Sequence, residues 1–303
     1  MWPEMPSTDS STALYTQAVQ SIKAIQANEP AALLPSGRTQ FMTHGYRVER
    51  AAVMFHGYTS APQQFHALGL KLFALGYNVY IPRAPHHGLP DPLAGDHADL
   101  TAEEIKAAAQ RALEITLGLG ERVNVLGLSM GGLMAGWLAQ YRTDVNVAMI
   151  IAPAFGFRVV PRPLLPLIRA AALRLPNVFR WWDPELKGDG GGPRHAYARY
   201  ATRGLAQVMR VSSDLATAAR RSAPAARSLV VVTNANDESV DNAATARVVA
   251  HWRARGAVNI ATYEFPKSQQ LIHDLIDPEQ PRQRVDHVYK ILIDLLHQSD
   301  EKQ

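Results

Sequence analysis

The sequence predicts an α/β fold, a mostly parallel central sheet with helices on both faces, and three observations carry that prediction. Short apolar runs, among them Ala51 to Phe55, Asn78 to Ile81, Val145 to Ile151 and Leu229 to Thr233, recur along the 303 residues. They are predominantly apolar along their length rather than alternating, as strands buried on both faces are. Segments with helical spacing separate them, the rhythm of a sheet wound by helices. The third observation is the stretch Val123 to Gly132, where an apolar run ends in Gly127-Leu128-Ser129-Met130-Gly131 and a helix-compatible segment, Leu133 to Arg142, follows at once. A serine at such a strand-turn-helix junction leaves the regular ladder and projects its hydroxyl above the strand end, while the two glycines remove side chains that would collide with the tight backbone.

Taken in order, residues 11 to 27 place Leu14, Ala18, Ile22 and Ile25 near helical spacing, and residues 1–35 read as an N-terminal helical extension. Phe41 to Glu49 reads as extended, and Ala51 to Phe55 as a buried strand ending at His56-Gly57. A helix started by Pro62 carries Phe65, Leu68, Leu72 and Leu75 on one face and stops at Gly76. After the strand Asn78 to Ile81, residues 82 to 99 form a loop rich in Pro, His, Gly and Asp. Thr101-Ala102-Glu103-Glu104 is a capping box opening the alanine-rich helix to Leu117. Beyond Thr233 come a helix from about Asn242 to Arg255, a last strand from Ile260 to Phe265, a loop with His273, and a closing helix from about Gln283 to Leu296.

The rhythm breaks between Ala154 and Ser222, where strong strand signals are absent and Pro161, Pro163, Pro166 and Trp181-Trp182 appear. A structureless loop of that length is improbable, so residues 154–222 are expected to form a small helical cap inserted into a core made of residues 1–153 and 223–303. The Gly188–Gly192 run lacks the preceding strand and the Gly-Lys-Ser/Thr of a phosphate loop, and reads as a hinge.

Composition narrows the function. With 47% hydrophobic and 19% charged residues the chain can bury a sizeable core. Its 31 basic and 27 acidic residues are scattered, so a nucleic-acid partner is not expected. Cysteine is absent, which excludes disulfides, thiolate metal sites and cysteine nucleophiles. No window has the ~18 uninterrupted apolar residues of a membrane span. The N-terminus does not read as a secretory signal, so a cytoplasmic protein without stable membrane insertion is expected.

An unassisted serine hydroxyl is a weak nucleophile, so Ser129 requires a base and the base an orienting acid. Functional residues of α/β sheets gather beyond the carboxyl ends of the strands, where Asp237 and His273 both fall, and Ser129, Asp237, His273 is the chain order that accompanies an elbow serine. Among rival bases, His251, His287 and His297 sit in expected helices, His195 precedes the acid, and His56, His86, His87 and His97 lie upstream of Ser129. Glu238 and Asp241 compete with Asp237 as acid, but read equally as a solvated turn and a helix N-cap. Attack on a carbonyl develops an oxyanion that backbone N–H groups must receive. Met130, directly after the nucleophile, and Tyr58, in the loop after the first long strand, are the candidate donors, with an ordinary strand-ending turn as the alternative for His56-Gly57.

Together the residues His56-Gly57-Tyr58-Thr59, Pro82-Arg83-Ala84-Pro85-His86-His87-Gly88, Gly127-Leu128-Ser129-Met130-Gly131-Gly132, Asn236-Asp237-Glu238-Ser239-Val240 and His273-Asp274 resemble the α/β-hydrolase superfamily, particularly its carboxylesterase and monoacylglycerol-lipase-like serine hydrolases. One departure is Pro85-His86-His87-Gly88, where such enzymes often carry Pro-Gly-His-Gly. The resemblance implies a cap inserted after the sixth strand, a small-molecule ester substrate and an acyl-enzyme, with no cofactor. Phe155, Phe157, Trp181 and Trp182 are candidate walls of an apolar acyl pocket, or else parts of the cap's own core. No metal is expected, since His86-His87 are adjacent without a third ligand and no H-E-x-x-H occurs. The same triad could serve C–C, thioester or acyl-transfer chemistry, and a binding protein on a hydrolase fold is the remaining alternative.

Overall fold

The computed structural model describes residues 8–91, 93–158, 164–182 and 192–301. Seven strands form the main sheet: β1 (Gln40–Met42), β2 (Val48–Phe55), β3 (Asn78–Ile81), β4 (Gly120–Leu128), β5 (Val145–Ile151), β8 (Ser228–Asn234) and β9 (Ile260–Phe265), in the order β1-β3-β2-β4-β5-β8-β9. All neighbours pair in parallel except β1 with β3. Parallel pairing follows from the crossovers, since each return to the same sheet edge runs through a helix.

The period of two along the strands sorts side chains into two layers. Ala51, Val53 and Phe55 of β2 face a layer built from α1 (Thr8–Ala27), α3 (Ala102–Leu117), α4 (Met130–Tyr141), α6 (Thr202–Ala219) and α7 (Asn242–Ala254). Ala52 and Met54 face α2 (Gln63–Ala74) and α8 (Val285–Asp300). Trp252 of α7 is fully buried, edge-on to Phe155, and its Nε1–H donates to Gln140 Oε1 at 2.7 Å. Burying a side chain of this size contributes about 2–3 kcal/mol, provided its N–H is satisfied as here. The capping box is formed: Glu104 N–H donates to Thr101 Oγ1 at 3.2 Å, and Thr101 N–H to Glu104 Oε2 at 2.9 Å.

Several elements differ from the sequence reading. The extended stretch expected over 41–49 is broken, because the chain turns at Gly45 (φ 90°) between β1 and β2, and β2 takes in Val48 to Arg50. Helix α8 continues to Asp300. The insertion leaves after β5, the fifth strand from Gln40 rather than the sixth, because the described residues before β1 fold as α1 and a single 3-10 turn and contribute no strand. Residues 154–222 are also not purely helical. Besides α5 (Leu165–Arg174) and α6 they hold a two-stranded antiparallel pair, β6 (Phe179–Trp181) with β7 (Arg199–Ala201). Helix α6 buries Leu205, Val208, Met209, Val211 and Leu215 in the main core. Most of Gly188–Gly192, with Pro161 and Pro163, lies outside the described residues.

Three histidines beyond the carboxyl edge of the sheet are buried and neutral. His56 bonds through Nδ1 to Gly57 O at 2.9 Å and accepts at Nε2 from Ala84 N–H at 3.0 Å. His87 bonds to Pro85 O at 2.7 Å and accepts from Thr59 N–H at 3.2 Å. Both patterns require the neutral Nδ1–H tautomer. His97 stacks on Tyr197 with ring centroids 4.9 Å apart. Burial first, then the Arg199 guanidinium, lowers His97 to about 4, and burial lowers His56 to about 4. An unfolded chain takes up protons at these rings below pH ~6.5 that the folded chain refuses until about pH 4. Stability is therefore complete above the unfolded pKa and declines as pH falls through that window. Replacing His97 by Phe keeps the ring stacking and removes one such site. Urea unfolding at pH 7 and pH 4 should show the acid loss of stability reduced by up to about 3 kcal/mol in His97→Phe.

Candidate active site

Ser129 joins β4 to α4 with φ 59° and ψ −112°, a region that costs an L-residue about 1–3 kcal/mol. Its surroundings hold it there. Ser129 N–H donates to Ile151 O at 3.0 Å, and its carbonyl accepts from Leu133 N–H and Ala154 N–H, each at 2.9 Å. A Cβ at Gly127 would collide with the Gly131 carbonyl, and one at Gly131 with the Phe55 carbonyl of β2. Only glycine lets α4 start this close to the sheet.

Asp237 follows β8 and His273 lies in the loop after β9. The structure brings them together: His273 Nδ1 lies 2.7 Å from Asp237 Oδ2. The other carboxylate oxygen accepts from Ser239 N–H at 2.8 Å and Val240 N–H at 3.0 Å, and Asp237 is almost wholly buried. Burial works against ionising either partner, but their mutual attraction and hydrogen bond prevail. The Asp237 carboxyl is held below its usual range and the His273 imidazolium above its usual 6.5. Asp241, the rival acid, caps α7 by accepting from Ala243 N–H at 2.9 Å.

Two asparagines, Asn234 and Asn236, build this corner. Buried Asn234 at the end of β8 donates through Nδ2 to Leu271 O at 2.9 Å and Ile272 O at 3.1 Å, fastening the strand that leads to Asp237 to the segment that leads to His273. Asn236 Nδ2 reinforces the bond to Leu271 O. An amide between two backbone segments 37 residues apart leaves no local sequence signal.

On the other side of Ser129 lies the loop after β2. A Cβ built on Gly57 would stand 3.6 Å from Ser129 Cβ. Three successive amides of this loop are distinguished by their partners. Gly57 N–H donates to Gln64 Oε1 at 2.8 Å and Thr59 N–H to His87 Nε2 at 3.2 Å. Among the described residues, neither Tyr58 N–H nor Met130 N–H has a hydrogen-bond acceptor. Met130 is also the first residue of α4, where the helix dipole favours negative charge. The Tyr58 side chain contributes more than the sequence suggested: its hydroxyl lies 3.2 Å from both His97 O and Ala201 O, tying the loop to the insertion.

The insertion packs directly on this loop. Tyr197 N–H donates to Thr59 O at 2.8 Å and Trp182 Nε1–H to Thr59 Oγ1 at 2.7 Å, with Trp182 itself 43% exposed. Phe155, by contrast, is a core residue rather than a pocket wall, since its ring is wedged between Gly136 of α4 and Trp252. Half-buried Phe157 bridges to Val240, and Trp181 pairs with Arg199 in β6–β7. His86 pairs with Glu104 at 3.1 Å, and buried His195 with Asp277 at 2.9 Å. His251, His287 and His297 sit in α7 and α8. Among the described residues no three His, Asp or Glu side chains converge as metal ligands would, and no helix there is long and apolar enough to cross a membrane.

Comparison with known proteins gives the same frame. No curated protein matches the chain by sequence. The fold is shared with solved structures at low identity. A structure from work on LipS and LipT, two metagenome-derived lipolytic enzymes, is 16% identical, with TM-score 0.63, over 88% of this chain and 99% of that one. Monoacylglycerol lipase from Paleococcus ferrophilus is 18% identical, with TM-score 0.64, over 86% and 98%. A soluble variant of monoglyceride lipase from Saccharomyces cerevisiae is 12% identical, with TM-score 0.66, over 91% and 99%. Residues 52–286 match the model of the alpha/beta hydrolase family, and with that span covered the chain belongs to this family.

Proposed function

We propose that the protein is a serine hydrolase that cleaves carboxylic esters through an acyl-enzyme. The observation that carries the reading is the 2.7 Å Asp237–His273 pair, set at the same sheet edge as an elbow serine held at φ 59°. Ser129 Oγ attacks the ester carbonyl carbon while His273 takes its proton. Because Nδ1 is engaged by Asp237, Nε2 is the nitrogen left to do so. The tetrahedral oxyanion is received by the amides of Tyr58 and Met130, the neighbours of Ser129 that have no other acceptor among the described residues. Collapse expels the alcohol, which leaves with the proton from His273. Water, deprotonated by the same imidazole, then releases the acid and regenerates Ser129.

Residues 154–222 act as the cap in this reading, seated on the oxyanion loop through Tyr197, Trp182 and the Tyr58 hydroxyl. Trp182 and half-buried Phe157 are its candidate substrate contacts. Lipolytic and monoglyceride-lipase structures among the fold relatives support an ester with an apolar acyl or alcohol group.

A fluorophosphonate probe should label the wild type stoichiometrically at Ser129, and Ser129→Ala should lower kcat on p-nitrophenyl esters by roughly 10⁴ to 10⁶. An unlabelled protein, or a mutant that turns over undiminished, rules out this reading. The pH profile follows from the raised His273 pKa. The base works only when neutral, so kcat/KM should rise with pH through an apparent pKa above the ordinary 6.5. Asp237→Asn removes the charge that holds the pKa up, so any residual activity should titrate at lower pH, with kcat down by roughly 10⁴.

A further inference from the structure

The Gln64 side chain, in the first turn of α2, is 3% exposed and reaches both sides of the site. Its Oε1 accepts from Gly57 N–H at 2.8 Å, in the loop beside Ser129 that carries Tyr58. Its Nε2 donates at 2.7 Å to Oδ2 of Asp274, the residue directly after His273. The amide orientation is unambiguous, because a backbone N–H needs the oxygen and a carboxylate needs the N–H₂. The same Asp274 oxygen accepts from Gln280 Nε2 at 2.9 Å, so the carboxylate is anchored within its own loop as well. One primary amide therefore spans the two loops that flank Ser129.

We infer that Gln64 is a positioning residue that sets the oxyanion loop in register with the histidine loop. By engaging Gly57 N–H it withdraws that amide from the site, as His87 withdraws Thr59 N–H, so that only the Tyr58 amide between them faces a developing negative charge. By holding Asp274 it ties the backbone next to His273 to the same point. Donor and base are thus located against each other through one rigid amide rather than through two independent loops, the arrangement that preorganised stabilisation requires. The contribution appears in the transition state, where both are used at once, and much less in ground-state binding.

This inference rests on the ester-hydrolase reading, and the two are separable in one set of measurements. Active sites are titrated with a fluorophosphonate and kcat is expressed per labelled site, which removes any loss of folded protein. Absence of labelling in the wild type would overturn the underlying reading. Gln64→Glu faces a second carboxylate towards Asp274 and should lower kcat per site by roughly 100-fold with KM changed by less than about threefold, the scale of losing one oxyanion donor. Adding Asp274→Asn restores a donor opposite the new acceptor, so the double variant should recover at least about a tenth of wild-type kcat. Gln64→Met, similar in volume but without the hydrogen bonds, should show the kcat loss even where Gln64→Glu fails to fold. Per-site kcat within about threefold of wild type in Gln64→Met, or no recovery in Gln64→Glu/Asp274→Asn relative to Gln64→Glu, would overturn the inference while leaving the hydrolase reading intact.

Discussion

At the elbow the backbones leave no room for a side chain, because a Cβ on Gly131 would meet the Phe55 carbonyl of β2 and one on Gly127 would meet Gly131. A methyl group at either position would push α4 off the sheet. The contact is possible only because the helix begins immediately after β4, and beginning there forces Ser129 to φ 59°. That conformation is held by three backbone hydrogen bonds, two of them to the chain that leaves β5. Strain at one residue is thus stabilised by the packing of three neighbouring strands.

From that edge the remaining groups are placed by a continuous relay of backbone and amide contacts. Ser129 binds the end of β5, Ala152 N–H binds Val232 O of β8, and Asn234 at the end of β8 binds the segment before His273. On the opposite side Gln64 links the β2 loop to Asp274. The acid–base pair and the proposed oxyanion donors are therefore located by side-chain amides acting as brackets between loops. Hydrogen bonds of this kind contribute about 1 kcal/mol each to stability where both groups are neutral and more where one is a carboxylate, and they exclude alternative loop positions.

The charge state of each histidine at the carboxyl edge of the sheet follows from the partner it meets. His56, His87 and His97 surround the loop after β2 as neutral rings, two of them bonded on both nitrogens by the backbone. His273 faces a buried carboxylate whose attraction outweighs the cost of burying its own charge, as His195 does against Asp277. Histidines gathered at the carboxyl edge of the sheet thus shift in opposite directions, according to whether a carboxylate faces them.

The alternation of buried strands and helices, the elbow, and the positions of Asp237 and His273 after strand ends were legible in the amino-acid order, because each is written in local periodicity or in a turn that glycine alone permits. The Thr101–Glu104 capping box was legible for the same reason, its partners lying three residues apart. Pairings between residues distant in the chain emerge only once the chain is folded. Asn234 with Leu271, Gln64 with Asp274, and Tyr58 with Ala201 are separated by 37, 210 and 143 residues, and no local pattern marks them. The same limit explains Phe155, whose aromatic character suggested a pocket wall but whose ring fills the space left by Gly136. A short pair such as β6–β7 escapes detection because three residues give no period to read. Periodicity reports which face of an element is apolar, whereas the identity of what meets that face is fixed only when the sheet closes on its helices.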